Sequence, residues 1–213
     1  MSSTIPRLLA ISPGGLASDA DLEPFAAQAE AALAAGLPAL LLREPGLCDR
    51  QRLALYARLL PAAKDATLLV HDSVHLVRAL RADGVQLGFR SLAPRQARKL
   101  LLPEQRVGFS AHAHDVPQDW DGADYLLAGP VRRTPSKEGL LPVLGFEGLA
   151  QLVRQSHLPV LALGGLDASH VAHALSCGAH GVAVRAGVFG VRDPAAAVRG
   201  LMKALAAAGA GER

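Results

Sequence analysis

The chain has 213 residues, half of them hydrophobic, with only 19% charged and 4% aromatic. That is ample material for a core, so a disordered chain is excluded, and no run approaches the roughly 18 to 20 apolar residues of a membrane span. The net charge of +3 is mild and its 22 basic residues are spread along the chain, with one Trp, two Tyr and five Phe to stack on, so no nucleic-acid partner is expected.

Short apolar runs and helix-period stretches alternate from the N-terminus onward. A strand is predicted over 7–11, then a helix over 21–35, with apolar residues at Leu22, Phe25, Ala26, Ala29, Ala32 and Leu33 and a stop at Gly36. Strands over 38–42, 67–70 and 84–87 follow, separated by helices over 49–62 and 74–81. A helix over 94–101 leads to strands over 106–110 and 124–127. Helices over 145–155, 167–176 and 194–208 then alternate with strands over 159–163 and 181–184. Most strands are continuously apolar rather than alternating, as strands buried on both faces of a parallel sheet are. Several helices open at Asp or Ser and close at Gly, the usual caps. Eight strands alternating with seven or eight helices is the count of a compact (β/α)₈ TIM barrel, with residues 1–213 as a single domain. A doubly wound open sheet is the runner-up, but Ser12-Pro13-Gly14-Gly15 lacks its glycine fingerprint.

Cys48 and Cys177 match no metal or redox spacing, and the N-terminus carries no signal-peptide pattern, so a cytoplasmic chain is expected. A homodimer through an Ala- and Leu-rich helical face is possible.

In a barrel of this type, chemistry belongs to the loops after the strands. Polar residues stand there repeatedly: Arg43-Glu44 after the second strand, His71-Asp72 after the third, Gly88 to Ser91 after the fourth and Ser110-Ala111-His112-Ala113-His114 at the fifth. Gly164-Gly165 after strand seven and Arg185-Ala186 after strand eight stand where this fold usually cradles a phosphate on backbone N–H groups; a tight turn alone would also explain the glycines. Thr134, Ser136 and Lys137 lie in a loop of about 17 residues, from Ala128 to Leu144, long enough to suggest function. A surface turn is the other reading. His71 with His75 and His112 with His114 raise a metal site, but a mononuclear hydrolase of this fold would place its His-x-His at strand one, so neither metal nor cofactor is expected. His157, His170, His173 and His180 read as solvated surface residues.

Gly122-Ala-Asp-Tyr-Leu-Leu-Ala-Gly-Pro-Val131, Thr134-Pro-Ser-Lys137, Leu163-Gly-Gly-Leu166, Gly178-Ala-His-Gly-Val-Ala-Val184, Leu42-Arg-Glu44 and Gly84-Val-Gln-Leu-Gly88 together resemble the thiamin-phosphate synthase superfamily, from about Arg7 to Pro194. The resemblance implies a (β/α)₈ barrel and a small-molecule thiazole phosphate ligand. The superfamily has two branches. The synthase couples a pyrimidine diphosphate to a thiazole phosphate and holds Mg²⁺ with two aspartates. Its Gln-Leu-Arg-Glu-Lys reads Leu41-Leu42-Arg43-Glu44-Pro45 here, its Asn-Asp reads His71-Asp72, and its second metal aspartate falls on Ser91. Losing that charge neutralisation argues against departure of a diphosphate.

The chain instead looks like the thiazole tautomerase branch at Val85-Gln86-Leu87 and Ser110-Ala-His112. The expectation is therefore an isomerase that aromatises a carboxythiazole phosphate. The resemblance makes His112 the acid–base residue, a role suited to a pKa near 6.5, with His114 in reserve. Thr134, Ser136, Gly165, Arg185 and Ala186 would hold the phosphate, with Gly164 and Lys137 beside them. Arg185 stands where the superfamily often has a small apolar residue. Arg43 would take the substrate carboxylate, or pair with Glu44 or Asp72; Gln86 and Asp72 would orient the ring or the arginine, and Ser110 would line the site. The alternatives are a thiamin-phosphate synthase and a non-catalytic thiazole-phosphate-binding regulator.

Overall fold

The computed structural model describes residues 4–134 and 142–210. Eight parallel strands close into a barrel in sequence order: β1 (Leu8–Ile11), β2 (Ala39–Leu42), β3 (Thr67–His71), β4 (Gly84–Leu87), β5 (Arg106–Ala111), β6 (Tyr125–Ala128), β7 (Val160–Leu163) and β8 (Gly181–Val184), with β8 pairing back onto β1. The helices around it are α1 (Leu22–Ala34), α2 (Asp49–Leu59), α3 (Val74–Leu80), α4 (Pro94–Arg98), α5 (Gly145–Gln155), α6 (Val171–Ser176), α7 (Ala186–Phe189) and α8 (Pro194–Ala210). None of the helices among the described residues is long and apolar enough to cross a membrane.

The continuous apolar runs are explained by two separate cores. Leu9, Ile11, Leu41, Leu69, Leu127 and Leu161 fill the barrel interior. Their sequence neighbours, among them Leu8, Ala10, Leu40, Leu68 and Leu126, face outward against the helices. Each strand is thus buried on both faces, and each fully buried leucine contributes about 1.5–3 kcal/mol of transfer free energy. Phe25 of α1 meets Phe189 of α7 edge to face, with ring centroids 5.2 Å apart, and fastens the last turn of the barrel to the first helix.

The helices depart from the predicted spans where local chemistry breaks them. The run over 49–62 ends as an α-helix at Leu59 and continues as a 3₁₀ turn, Leu60–Ala62, which contains Pro61. The run over 167–176 begins as a 3₁₀ turn, Ala168–His170, capped by the Asp167 carboxylate, which accepts from the Ser169 backbone N–H at 2.9 Å. The run over 94–101 is helical only to Arg98. Between β5 and β6 the described chain makes a single 3₁₀ turn, Pro117–Trp120, and the buried Trp120 takes the place of a helix against the barrel.

The end of the barrel where the strands begin is closed structurally. His180 Nε2 lies 2.7 Å from the Ile5 carbonyl, and Arg7 Nε donates to the His180 carbonyl at 3.0 Å. His180 is therefore a fastening for the N-terminal segment rather than a solvated surface histidine. His173 also has a partner, stacking on Phe146 with centroids 3.8 Å apart.

Candidate active site

Strand alternation decides which side chains reach the open mouth. Two residues beyond inward Leu41 comes Arg43; two beyond Leu69 comes His71; two beyond Ala183 comes Arg185. Gln86 is in register with His71, and Ser110 with Leu127, so both also point into the barrel. His112 lies one residue past the end of β5. The sequence expectation that polar groups gather at the C-terminal ends of the strands is realised for Arg43, His71, Gln86, Ser110, His112 and Arg185.

On the β3–β5 arc these groups hold one another. Gln86 is buried, and its amide donates to Ser110 Oγ at 3.1 Å and to the Leu87 carbonyl at 3.3 Å. The Asp72 backbone is left-handed, at φ 61°. Its carboxylate accepts a hydrogen bond from the Ser91 hydroxyl and lies 3.5 Å from His71 Nδ1. Asp115 accepts from the His112 backbone N–H at 2.7 Å and sits 3.2 Å from His112 Nδ1, so one carboxylate fixes both the loop and the ring. Phe89 stands edge-on to His112, with centroids 6.0 Å apart, and Arg90 lies over the Phe89 ring.

The β8–β1–β2 arc is arranged differently. Glu44, beside Arg43, is buried and turns to the first loop, accepting from Gly14 N–H at 2.8 Å and Leu16 N–H at 2.9 Å. The buried Ser12 hydroxyl accepts from Arg43 N–H at 2.8 Å. The ion pair of Arg43 with Glu44 or Asp72, an alternative left open by the sequence, is absent: both carboxylates are committed elsewhere. The Nη1 atoms of Arg43 and Arg185 approach the same point, 3.2 and 3.9 Å from where a Cβ on Gly14 would lie.

Gly164 and Gly165 both have positive φ, 107° and 65°, and pack against the loop after β6: Pro130 and Arg132 lie 2.8 Å from their respective Cβ positions. The tight-turn reading of this pair is thus realised, since two left-handed residues in sequence favour glycine. Ala186 opens the four-residue α7. Thr134 is at the edge of the described chain; Ser136 and Lys137 lie outside the described residues. His114 is exposed, and His75 bonds Asp49 on the outer surface.

Sequence reading missed the roles of Asp115 and Ser12 and the loop-holding role of Glu44. Asp115 has a local signal, a carboxylate three residues after His112, which is the spacing of a capping turn. Glu44 and Ser12 have none, because their partners lie 28 to 31 residues away.

The Mg²⁺ ion that the synthase resemblance implies can be tested on the donor set. The corresponding positions supply the Asp72 carboxylate, already bonded to Ser91 and beside His71, and a serine hydroxyl. A resident divalent cation seeks several oxygen ligands with carboxylate charge among them. Among the described residues no group of three His, Cys, Asp or Glu is placed to hold a metal. These residues do not fit a resident ion.

A closed (β/α)₈ barrel with its polar side chains collected at the C-terminal mouth defines the class: a barrel whose chemistry sits in the loops after its strands. The chain belongs to the thiamine monophosphate synthase family, whose model matches residues 9–188. It is 38% identical over 182 residues to the thiamine-phosphate synthase of Roseiflexus sp. (strain RS-1), covering 84% of this chain and 77% of that one. It is 37% identical over 174 residues to the thiamine-phosphate synthase of Moorella thermoacetica, covering 80% and 83%. Among solved structures it is similar to a thiamine phosphate pyrophosphorylase from Pyrococcus furiosus, with a TM-score of 0.81, 29% identity and coverage of 95% and 96%.

These relatives correct the functional expectation. They are synthases, hence transferases, and similarity of this extent overturns the reading of the chain as an isomerase of the tautomerase branch. The physical reason is one of scale. The departures at Pro45, His71 and Ser91 are a few side chains at the rim, whereas the similarity covers the barrel and its loops.

Proposed function

We propose that the chain is a transferase that joins a pyrimidine diphosphate to a thiazole phosphate. The observation that supports this reading is its 37–38% identity to named synthases across four-fifths of its length. In such a reaction the thiazole ring nitrogen supplies its lone pair to the exocyclic methylene carbon of the pyrimidine. A C–N bond forms, the C–O bond to the diphosphate breaks, and the bonding electrons leave on a diphosphate oxygen.

This step transfers no proton to or from the thiazole, so it asks nothing of a general base. It asks for alignment of two heterocycles and for positive charge at the leaving group. The β3–β5 arc supplies the first: Gln86, Ser110 and His112, each held by a neighbour, form a polar wall against which a planar ring is oriented. Arg43 supplies charge, its guanidinium matching two phosphoryl oxygens at once. Gly164, Gly165, Ala186 and Thr134, in the loops after β7, β8 and β6, are proposed for the thiazole phosphate, and Ser136 and Lys137 join them on the sequence resemblance alone. No step is routed through a metal.

The test is incubation of the purified chain with both substrates and analysis by mass spectrometry. The coupled thiazolium phosphate is expected. Unchanged substrates under conditions where a known synthase converts them would overturn the proposal.

A further inference from the structure

Arg185 and Arg43 both reach toward Gly14 of the first loop. Both guanidinium Nη1 atoms lie within 4 Å of the Cβ position of Gly14, and both side chains are half-buried. Neither has a side-chain hydrogen bond or ion pair among the described residues. Two like charges brought together in partial burial repel, and no carboxylate among the described residues pairs with either: Glu44, the buried carboxylate of this arc, spends its oxygens on Gly14 and Leu16 N–H. That same pair of bonds holds the loop so that Gly14, at φ +84°, forms a floor without a side chain beneath the guanidinium groups.

We propose that Arg43 and Arg185 act as one clamp for a phosphoryl oxyanion, and that its occupant is the diphosphate of the pyrimidine substrate. This rests on the transferase reading above and deepens it. Guanidinium forks bind phosphoryl oxygens bidentately and tolerate partial burial better than an ammonium group does. A diphosphate has two phosphoryl groups and more than one negative charge, so two adjacent forks match it where a single one does not. The donor set at Asp72 and Ser91 does not fit a resident cation, and Arg185 brings a fixed positive charge to the mouth. Charge that grows on the departing oxygen is then met by protein cations already in place.

The same chemistry could come from the monophosphate of the thiazole, and the experiment separates the two. Binding of inorganic pyrophosphate and of inorganic phosphate to the full chain is measured by titration calorimetry, with and without Mg²⁺, for the wild type, Arg185→Ala and Arg185→Lys. The thermal midpoint of each variant is recorded alongside to confirm folding. The expected result is pyrophosphate binding that persists without Mg²⁺, weakened about 10²-fold by Arg185→Ala, partly restored by Arg185→Lys, with phosphate affinity little changed. Pyrophosphate affinity within twofold of wild type in folded Arg185→Ala would overturn the clamp. Equal loss for phosphate and pyrophosphate would overturn the diphosphate assignment. Arg185-dependent pyrophosphate binding by a chain that couples no substrates would uphold the clamp while refuting the transferase reading.

Discussion

The two arcs of the barrel mouth differ in how their polar groups are satisfied. From β3 to β5, Asp72 is tied to Ser91, Gln86 to Ser110 and His112 to Asp115. From β8 through β1 to β2, two guanidinium groups converge on Gly14 while the adjacent carboxylate binds backbone. An arc whose groups pair with one another, Gln86 Oε1 excepted, is a preformed wall that orients; an arc that holds cations together without counter-charge among the described residues is a site completed by an anion. The lesson is that catalytic demand can be read from what the fold leaves unsatisfied as well as from what it pairs.

Substitutions on the two arcs are expected to separate accordingly. Arg43→Ala should lower kcat/KM for coupling by about 10²- to 10³-fold, the usual effect of losing one preorganised charge-stabilising donor, with an unchanged thermal midpoint. A large loss of stability instead would mean that Arg43 has a structural partner and would erase the contrast. Glu44→Ala should do both kinds of damage. Two charge-assisted bonds to the first loop are lost in a buried place, so urea unfolding should show a cost of about 3 kcal/mol, and pyrophosphate binding should weaken as Gly14 moves.

Asp115→Asn is milder. An amide oxygen can still accept from the His112 backbone N–H but provides no charge for the ring, so roughly a tenfold fall in kcat/KM is expected, readable in steady-state kinetics. The smallest effect lies away from the mouth. Asp167→Ala should cost about 1 kcal/mol at neutral pH by uncapping the turn before α6. The Asp167 carboxyl is held below its ordinary value, chiefly by the hydrogen bond from the Ser169 hydroxyl, with His170 adding to it. A depressed folded-state value gives stability that is present above the unfolded value near 3.8 and is lost as pH falls through the lowered one. The gap between wild type and variant should therefore close in acid melts below about pH 4.

Much of the fold was legible because its forces are local and repetitive. All eight predicted strands fall within one residue of the observed ones at each end, since strands buried on both faces leave uninterrupted apolar runs between polar loops. Helix ends were less legible where α gives way to 3₁₀, as at Pro61 and Asp167, because the same apolar spacing serves both. The mouth was legible in outline, through polar residues recurring after the strands. Its internal pairing was not: Glu44 meets Gly14 and Leu16, and Ser12 meets Arg43, only when the barrel closes β1 against β2. The choice between branches failed for a related reason. Pro45, His71 and Ser91 read as missing parts in the sequence, whereas Arg185, one residue past β8, stands across the first loop from Arg43 only in the closed barrel.

The most direct test of the transferase reading is the stoichiometry of a single reaction catalysed by the purified full chain. With pyrimidine diphosphate and thiazole phosphate supplied together, coupled product and inorganic pyrophosphate should appear in equal amounts, and neither should form when one substrate is withheld. Pyrophosphate released without coupled product, or no turnover of either substrate, would contradict it.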